Sequence, residues 1–152
     1  MMRRGATAGA VALCATLLAA ACAPAEPAAV AAVGLDDSGY LAVVIICDEG
    51  RTVTHAGFVE SEADAPELSW IGRTVEPITF FRVAEDPPDN WVLDVEGGLR
   101  SDVAYGFEAT DGDLVVAGPT FTLDDLNTLG AGEVIDPDGV VLSIDEFLDT
   151  AC

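Results

Sequence analysis

The chain has 152 residues, with 6 Lys/Arg against 27 Asp/Glu and a formal net charge of −21. Such a polypeptide is repelled by nucleic acid, whose binding rests on neutralising phosphates, and by anionic lipid headgroups. The acidity reads as a solubility or salt adaptation or, alternatively, as a docking surface for a basic partner.

The chain opens with Arg3-Arg4, followed by an apolar and small-residue run from Gly5 to Ala21. A positive end, a short apolar core and small residues form an export signal. The run is no longer than the shortest membrane-spanning helix, about 17 residues, and is rich in alanine, which disfavours a permanent span. It ends in Leu18-Ala19-Ala20-Ala21-Cys22. Small residues directly before a cysteine predict a lipoprotein signal over residues 1–21 and lipidation of Cys22. Alternatives are ordinary cleavage after the alanines and a twin-arginine signal, although Gly5, Ala6 and Thr7 lack the apolar character expected after that pair. Cys14 is preceded by Leu13 and does not fit. A diacylated and N-acylated Cys22 anchors firmly, because a stable anchor takes two or more chains. Residues 22–32, with Pro24 and Pro27, read as a disordered Ala/Pro-rich tether. The expected location is the extracytoplasmic face of the cell membrane.

Loss of Arg3 and Arg4 leaves four arginines against the same 27 acids in the mature chain. It also leaves Cys47 and Cys152 as the free pair, and outside the cytoplasm they are expected to form a disulfide. A metal or redox thiol pair is the alternative. No Cys-x-x-Cys exists, however, and the lone histidine, His55, lacks metal-ligand spacing.

Residues 33–152 suit one domain with one core. The run Leu41–Cys47 is apolar and β-branched, a strand covered on both faces. Leu41, Val43, Ile45 and Cys47 share one side, which would point the thiol into the core. Further strands are expected at 51–60, 68–71 and 78–83. Trp91, Leu93 and Val95 alternate with Val92, Asp94 and Glu96, and Val103, Tyr105, Phe107 and Ala109 with Asp102, Ala104, Gly106 and Glu108, patterns that suit sheets with one wet face. Asp111-Gly112 predicts a hairpin turn into 114–116, followed by 120–123. Thr122 or Asp124 would cap a short helix. Strands at 133–135 and 140–142 flank the Asp136-Pro137-Asp138-Gly139 turn, and Ser143 would cap a last helix carrying Ile144, Phe147 and Leu148, with Glu146 at the capping-box position. Short strands separated by Gly/Pro/Asp turns predict an all-β sandwich of about seven strands with one or two short helices near the C-terminus.

The small-residue stretch before Cys22, a leading strand ending in cysteine, a Trp-bearing strand, Phe121-Thr122-Leu123-Asp124-Asp125-Leu126 and the closing Phe147-to-Cys152 spacing together resemble a group of small, uncharacterised actinobacterial cell-envelope lipoproteins. The resemblance implies an immunoglobulin-like sandwich stapled by Cys47 and Cys152, and it brings no established activity.

Little in the sequence points to catalysis. The Asp136–Phe147 stretch imitates an EF-hand loop through Asp136 and Asp138, but Val140 and Val141 fall where a ligand and glycine belong, and Glu146 comes one residue early. Asp136, Asp138 and Glu146 are therefore a weak calcium candidate, and a turn before a capped helix accounts for the same letters. His55 is the one imidazole, and no Gly-x-Ser-x-Gly elbow accompanies it. Phosphate-loop and dinucleotide fingerprints are absent, so no cofactor is implied. Trp91 reads as core. Trp70 reads equally as core or, with Ile71, as an exposed contact patch. The expectation is a non-catalytic interaction or structural module in the envelope, contacting the membrane through Cys22 and possessing a protein partner; the alternative is a ligand- or calcium-binding module.

Overall fold

The computed structural model describes residues 28–152, apart from residues 64, 113 and 114. The expected signal, Cys22 and the tether as far as Pro27 lie outside the described residues, as does Leu114.

Ten strands and two short helices follow one another: β1 Ala29–Asp36, β2 Gly39–Ile46, β3 His55–Glu60, β4 Pro66–Gly72, β5 Ile78–Arg82, β6 Trp91–Val95, β7 Ala104–Thr110, β8 Val115–Thr122, α1 Leu123–Asn127, β9 Glu133–Ile135, β10 Val141–Ser143 and α2 Ile144–Thr150. They form two antiparallel five-stranded sheets, β10-β9-β1-β2-β5 and β6-β4-β3-β7-β8. The sandwich expected from the sequence is present, with ten strands instead of about seven. Seven of them, β1-β2-β5 facing β4-β3-β7-β8, follow the immunoglobulin-like order, in which the chain switches sheet after its second and fourth strands and again after its fifth. The other three are additions: β6 on the outer side of β4, and the β9–β10 hairpin on the outer side of β1.

The domain boundary needs correction. Ala29–Ala32, assigned above to the tether, are the first half of β1 and pair with Ile46 through Val43. Ala31 and Ala32 are fully buried, one in each of two apolar clusters on opposite sides of the sheet. Ala31 and Ala32 are small, and the ladder to β2 together with the neighbouring Val30 and Val33 holds the strand.

The larger cluster fills the space between the sheets. Ala31, Val33, Ala42, Val44 and Phe81 meet Phe58, Trp70, Trp91, Phe107 and Phe121 there. Phe58 is the hub, with ring centroids 6.0 Å from Trp70, 5.2 Å from Phe107 and 5.8 Å from Phe121, all edge-on. Phe81 carries the stack across the sandwich, 5.3 Å from Trp70 and 4.8 Å from Trp91. Edge-on pairs of this kind add about 0.5–1.5 kcal/mol each beyond the buried area. At the start of β7 the buried Tyr105 hydroxyl accepts the Arg100 N–H at 2.9 Å, five residues upstream. That arrangement is the tyrosine corner of immunoglobulin-like sandwiches.

The smaller cluster lies outside the first sheet, where Leu41, Val43 and Ile45 meet Phe147 of α2 and Val134. The side of β2 that leads to Cys47 therefore faces α2 and not the inter-sheet core, a second correction. The Ser143 hydroxyl accepts the Glu146 N–H at 3.1 Å to start α2. The expected reach-back from the Glu146 side chain is not formed; the full capping box belongs to Thr122 and Asp125 on α1. The disulfide Cys47–Cys152 joins the end of β2 to the end of α2, with 5.4 Å between Cα atoms.

Turn chemistry follows the sequence. Gly112 takes φ +99° in the β7–β8 hairpin, which a side chain would oppose. The two short strands expected around Gly118-Pro119 are one strand, β8, because a bulge opposite Phe107 absorbs the dipeptide. A Cβ on Gly118 would come within 2.8 Å of the Phe107 carbonyl oxygen, so the close approach demands glycine.

Candidate functional site

Among the described residues six large apolar side chains stand exposed, and four of them gather at one flank of the sandwich: Ile71 (37 %), Val75 (68 %), Val92 (63 %) and Leu93 (43 %). The cause is topological. The edges β5 and β6 lie on the same open side, and the loop 83–90 joins them. Beyond β6 no further strand of the described residues pairs, which leaves its outer backbone groups without a ladder. Val92 pairs with Ile71 and Leu93 with Trp70, so apolar side chains project from both faces of the edge.

Two clefts open on this flank. One, of about 960 Å³, runs between residues 83–87 and β6, with Leu68 and Trp70 as its floor and Leu93 and Glu96 on its rim. The other, of about 390 Å³, lies across the loop against Phe80, Arg82 and Trp91. Volumes of a few hundred to about 1,000 Å³ are those of small-molecule and peptide-segment sites.

The flank is acidic. Glu76, Glu85, Asp86 and Asp89 line the smaller cleft, and Asp94 and Glu96 lie on or just after β6. The nearby cation Arg82 is already engaged. Its guanidinium donates to Asp36 Oδ2 at 2.6 and 3.2 Å, lies 3.6 Å from Glu85 and covers the Phe80 ring at 5.6 Å. Burial disfavours the Asp36 carboxylate, but the Ser38 N–H, the Arg82 guanidinium and the Gly39 N–H outweigh it and hold its pKa below the usual value. Arg51 pairs with Asp48 and Asp111, and Arg100 with Glu60 and Glu67. Arg73 makes no ion pair among the described residues and sits near the start of β6, where its N–H donates to the Asn90 carbonyl.

The structure separates the two residues proposed as a contact patch. Trp70 is 1 % exposed and belongs to the core, so it cannot form an exposed patch. It alternates with Ser69 and Ile71 along β4, and its side faces inward with Leu68. Ile71 does reach solvent, with Val92 beside it. Trp91 is buried, as the alternation along its strand indicated.

The calcium candidate is not assembled. Asp136 Oδ1 accepts the N–H groups of Asp138 (2.9 Å) and Val140 (2.8 Å), closing the β9–β10 turn, and Glu146 stands in the first turn of α2. Among the described residues no group of three or more His, Cys, Asp or Glu side chains could hold a metal ion. His55 is exposed and shares a 3.3 Å hydrogen bond with Thr54 Oγ1. It lines a shallow depression of about 280 Å³ on the outer face of the second sheet, with Ser69, Asp94 and Glu108. Ser69 Oγ there is buried with no hydrogen-bond partner among the described residues.

Among the described residues no helix is long and apolar enough to cross a membrane. No protein-family model matches the chain, and neither a curated protein nor a solved structure matches it.

Proposed function

We propose that the protein is a lipid-anchored extracytoplasmic envelope protein whose sandwich is a non-catalytic interaction module, of the kind its resemblance to small actinobacterial lipoproteins implies. The observation that carries the interaction part is the β6 flank. Four exposed apolar side chains, an unpaired strand edge and two clefts coincide there on an otherwise highly charged domain. Support for the anchor comes from the sequence around Cys22 and from the Cys47–Cys152 disulfide, which suits an oxidising compartment. The non-catalytic part is carried by the sequence, in which no catalytic motif accompanies the lone His55.

Mass spectrometry of the mature N-terminus tests the anchor. A diacylglyceryl-modified Cys22 is expected, and Cys22→Ser should leave the membrane fraction. An unmodified terminus, or a Cys22→Ser protein that fractionates with membranes in the same processed form, overturns it.

A further inference from the structure

We infer that the β6 edge takes an extended, basic polypeptide segment as an added strand, with its apolar side chains in the cleft between β6 and residues 83–87. This rests on the interaction-module reading and names the partner's chemistry. Three observations converge. Beyond Trp91, whose N–H is taken by the Pro88 carbonyl, the outer backbone groups of Val92–Val95 have no neighbouring strand, and such an edge accepts an incoming strand through main-chain hydrogen bonds. The pleat of the added strand sends alternate side chains to either face, where Leu93 with the Leu68–Trp70 floor and Val92 with Ile71 offer apolar contacts.

Charge selects the occupant. Glu85, Asp86, Asp89, Asp94 and Glu96 surround the edge, and the flank's own guanidinium at Arg82 is held by Asp36 and Glu85. Arg73 is one cation against these five carboxylates. A second copy of this chain would bring the same carboxylates face to face and be repelled. A segment alternating Val or Leu with Lys or Arg turns its apolar side chains toward Leu93 and the cleft floor and its cations to the face of Asp94, in the field of the carboxylates around the edge.

The test uses the full-length chain, purified in detergent, and fluorescein-labelled eight-residue peptides alternating Arg and Val, read by anisotropy. Binding is expected for the Arg/Val peptide and not for its Glu/Val counterpart. N-methylation at alternate peptide nitrogens should weaken binding at least tenfold, because it removes ladder donors without changing charge. Glu85→Gln/Asp86→Asn/Glu96→Gln should weaken it at least tenfold, and Leu93→Lys should abolish it. Neutralising three distant carboxylates, Asp124, Asp145 and Asp149, should change it less than threefold. Equal binding of the N-methylated peptide, or an equal loss from the distant triple variant, reduces the effect to diffuse attraction and overturns the proposal. Failure of every peptide to bind overturns it too, as does an edge-dependent dimer seen by sedimentation. Because Cys22 modification is read separately on the same preparation, a failed edge and a failed anchor are distinguishable.

Discussion

At the residue scale the sharpest charge arrangement is Asp36 with Arg82. Asp36 accepts from the guanidinium and from the Ser38 N–H while mostly shielded from water. Its pKa is lowered, so its contribution is present above the unfolded value near 4 and is lost as pH falls through the folded value. Asp36→Asn should cost about 1 kcal/mol at pH 7, since Arg82 is partly solvated and the pair is discounted accordingly. The gap between variant and wild type should narrow steadily below about pH 4, measured by urea unfolding across pH; a gap independent of pH would show that the carboxylate charge is not what stabilises. Tyr105→Phe makes a neutral comparison. It strips the acceptor from the Arg100 N–H and should cost about 1–2 kcal/mol at every pH where the fold persists. Trp70 marks the limit of reading single residues from sequence. Its inward alternation with Leu68 was available, but the apolar Ile71 on the wet face blurred the period. Whether Ile71 is exposed depends on β6 lying beside it, and no local pattern reports that pairing.

Elements with strong local chemistry were legible in the sequence, whereas those defined by their neighbours were not. The apolar run of β2 announced a strand covered on both faces, and the covers are the opposite sheet and α2. The caps at Thr122 and Ser143 follow from hydroxyls that accept a first-turn N–H, and the turns at Gly112 and Gly139 from positive φ that glycine takes without strain. By contrast, β1 is built largely from alanine, valine and glycine beside a proline-bearing stretch, and nothing local distinguishes it from a tether. Its strand state is imposed by β2 along its whole length and by β9 near its end. The candidate site was invisible for the same reason, since β5 and β6 become adjacent edges only once sheet order is known. α2 gives an element-scale prediction. It is seven residues long, too short to persist alone, and is held by Phe147 packing and by the disulfide that follows it. Closing a loop of this size contributes about 3–5 kcal/mol, and Phe147→Ala should cost a similar amount through the cavity it leaves. Reduction of Cys47–Cys152 in the Phe147→Ala background should release α2, detected as loss of hydrogen-exchange protection at the Ala151 N–H that bonds the Phe147 carbonyl. Retained protection would mean that the remaining contacts of α2 hold it without either.

At the scale of the whole molecule, 6 Lys/Arg oppose 27 acidic residues, so like-charge repulsion acts throughout the sandwich. Added salt acts in two opposing ways. It screens this repulsion, which favours the compact state, and it weakens the ion pairs of Arg51, Arg82 and Arg100, which opposes it. Exposed pairs contribute at most about 1 kcal/mol each, and most of these are exposed. The carboxylates far outnumber them, so the repulsive term should win. Raising ionic strength from 10 mM to 0.1 M shortens the screening length from about 30 Å to about 10 Å, less than the span of the domain. The expected result is a stabilisation of about 1 kcal/mol and a rise in Tm of about 4 °C. The measurement is thermal unfolding at pH 7 in NaCl, set against sucrose at matched osmolality to separate screening from solute exclusion. A Tm that is flat or falls with NaCl would mean that the acidic surface is already relieved within the fold. The same repulsion directs the domain away from an anionic bilayer, so binding of the Cys22→Ser chain to vesicles rich in anionic lipid should be undetectable at both salt concentrations. The acidic flank at β6 would then stay turned toward solvent, where a basic partner is attracted and the membrane surface is not.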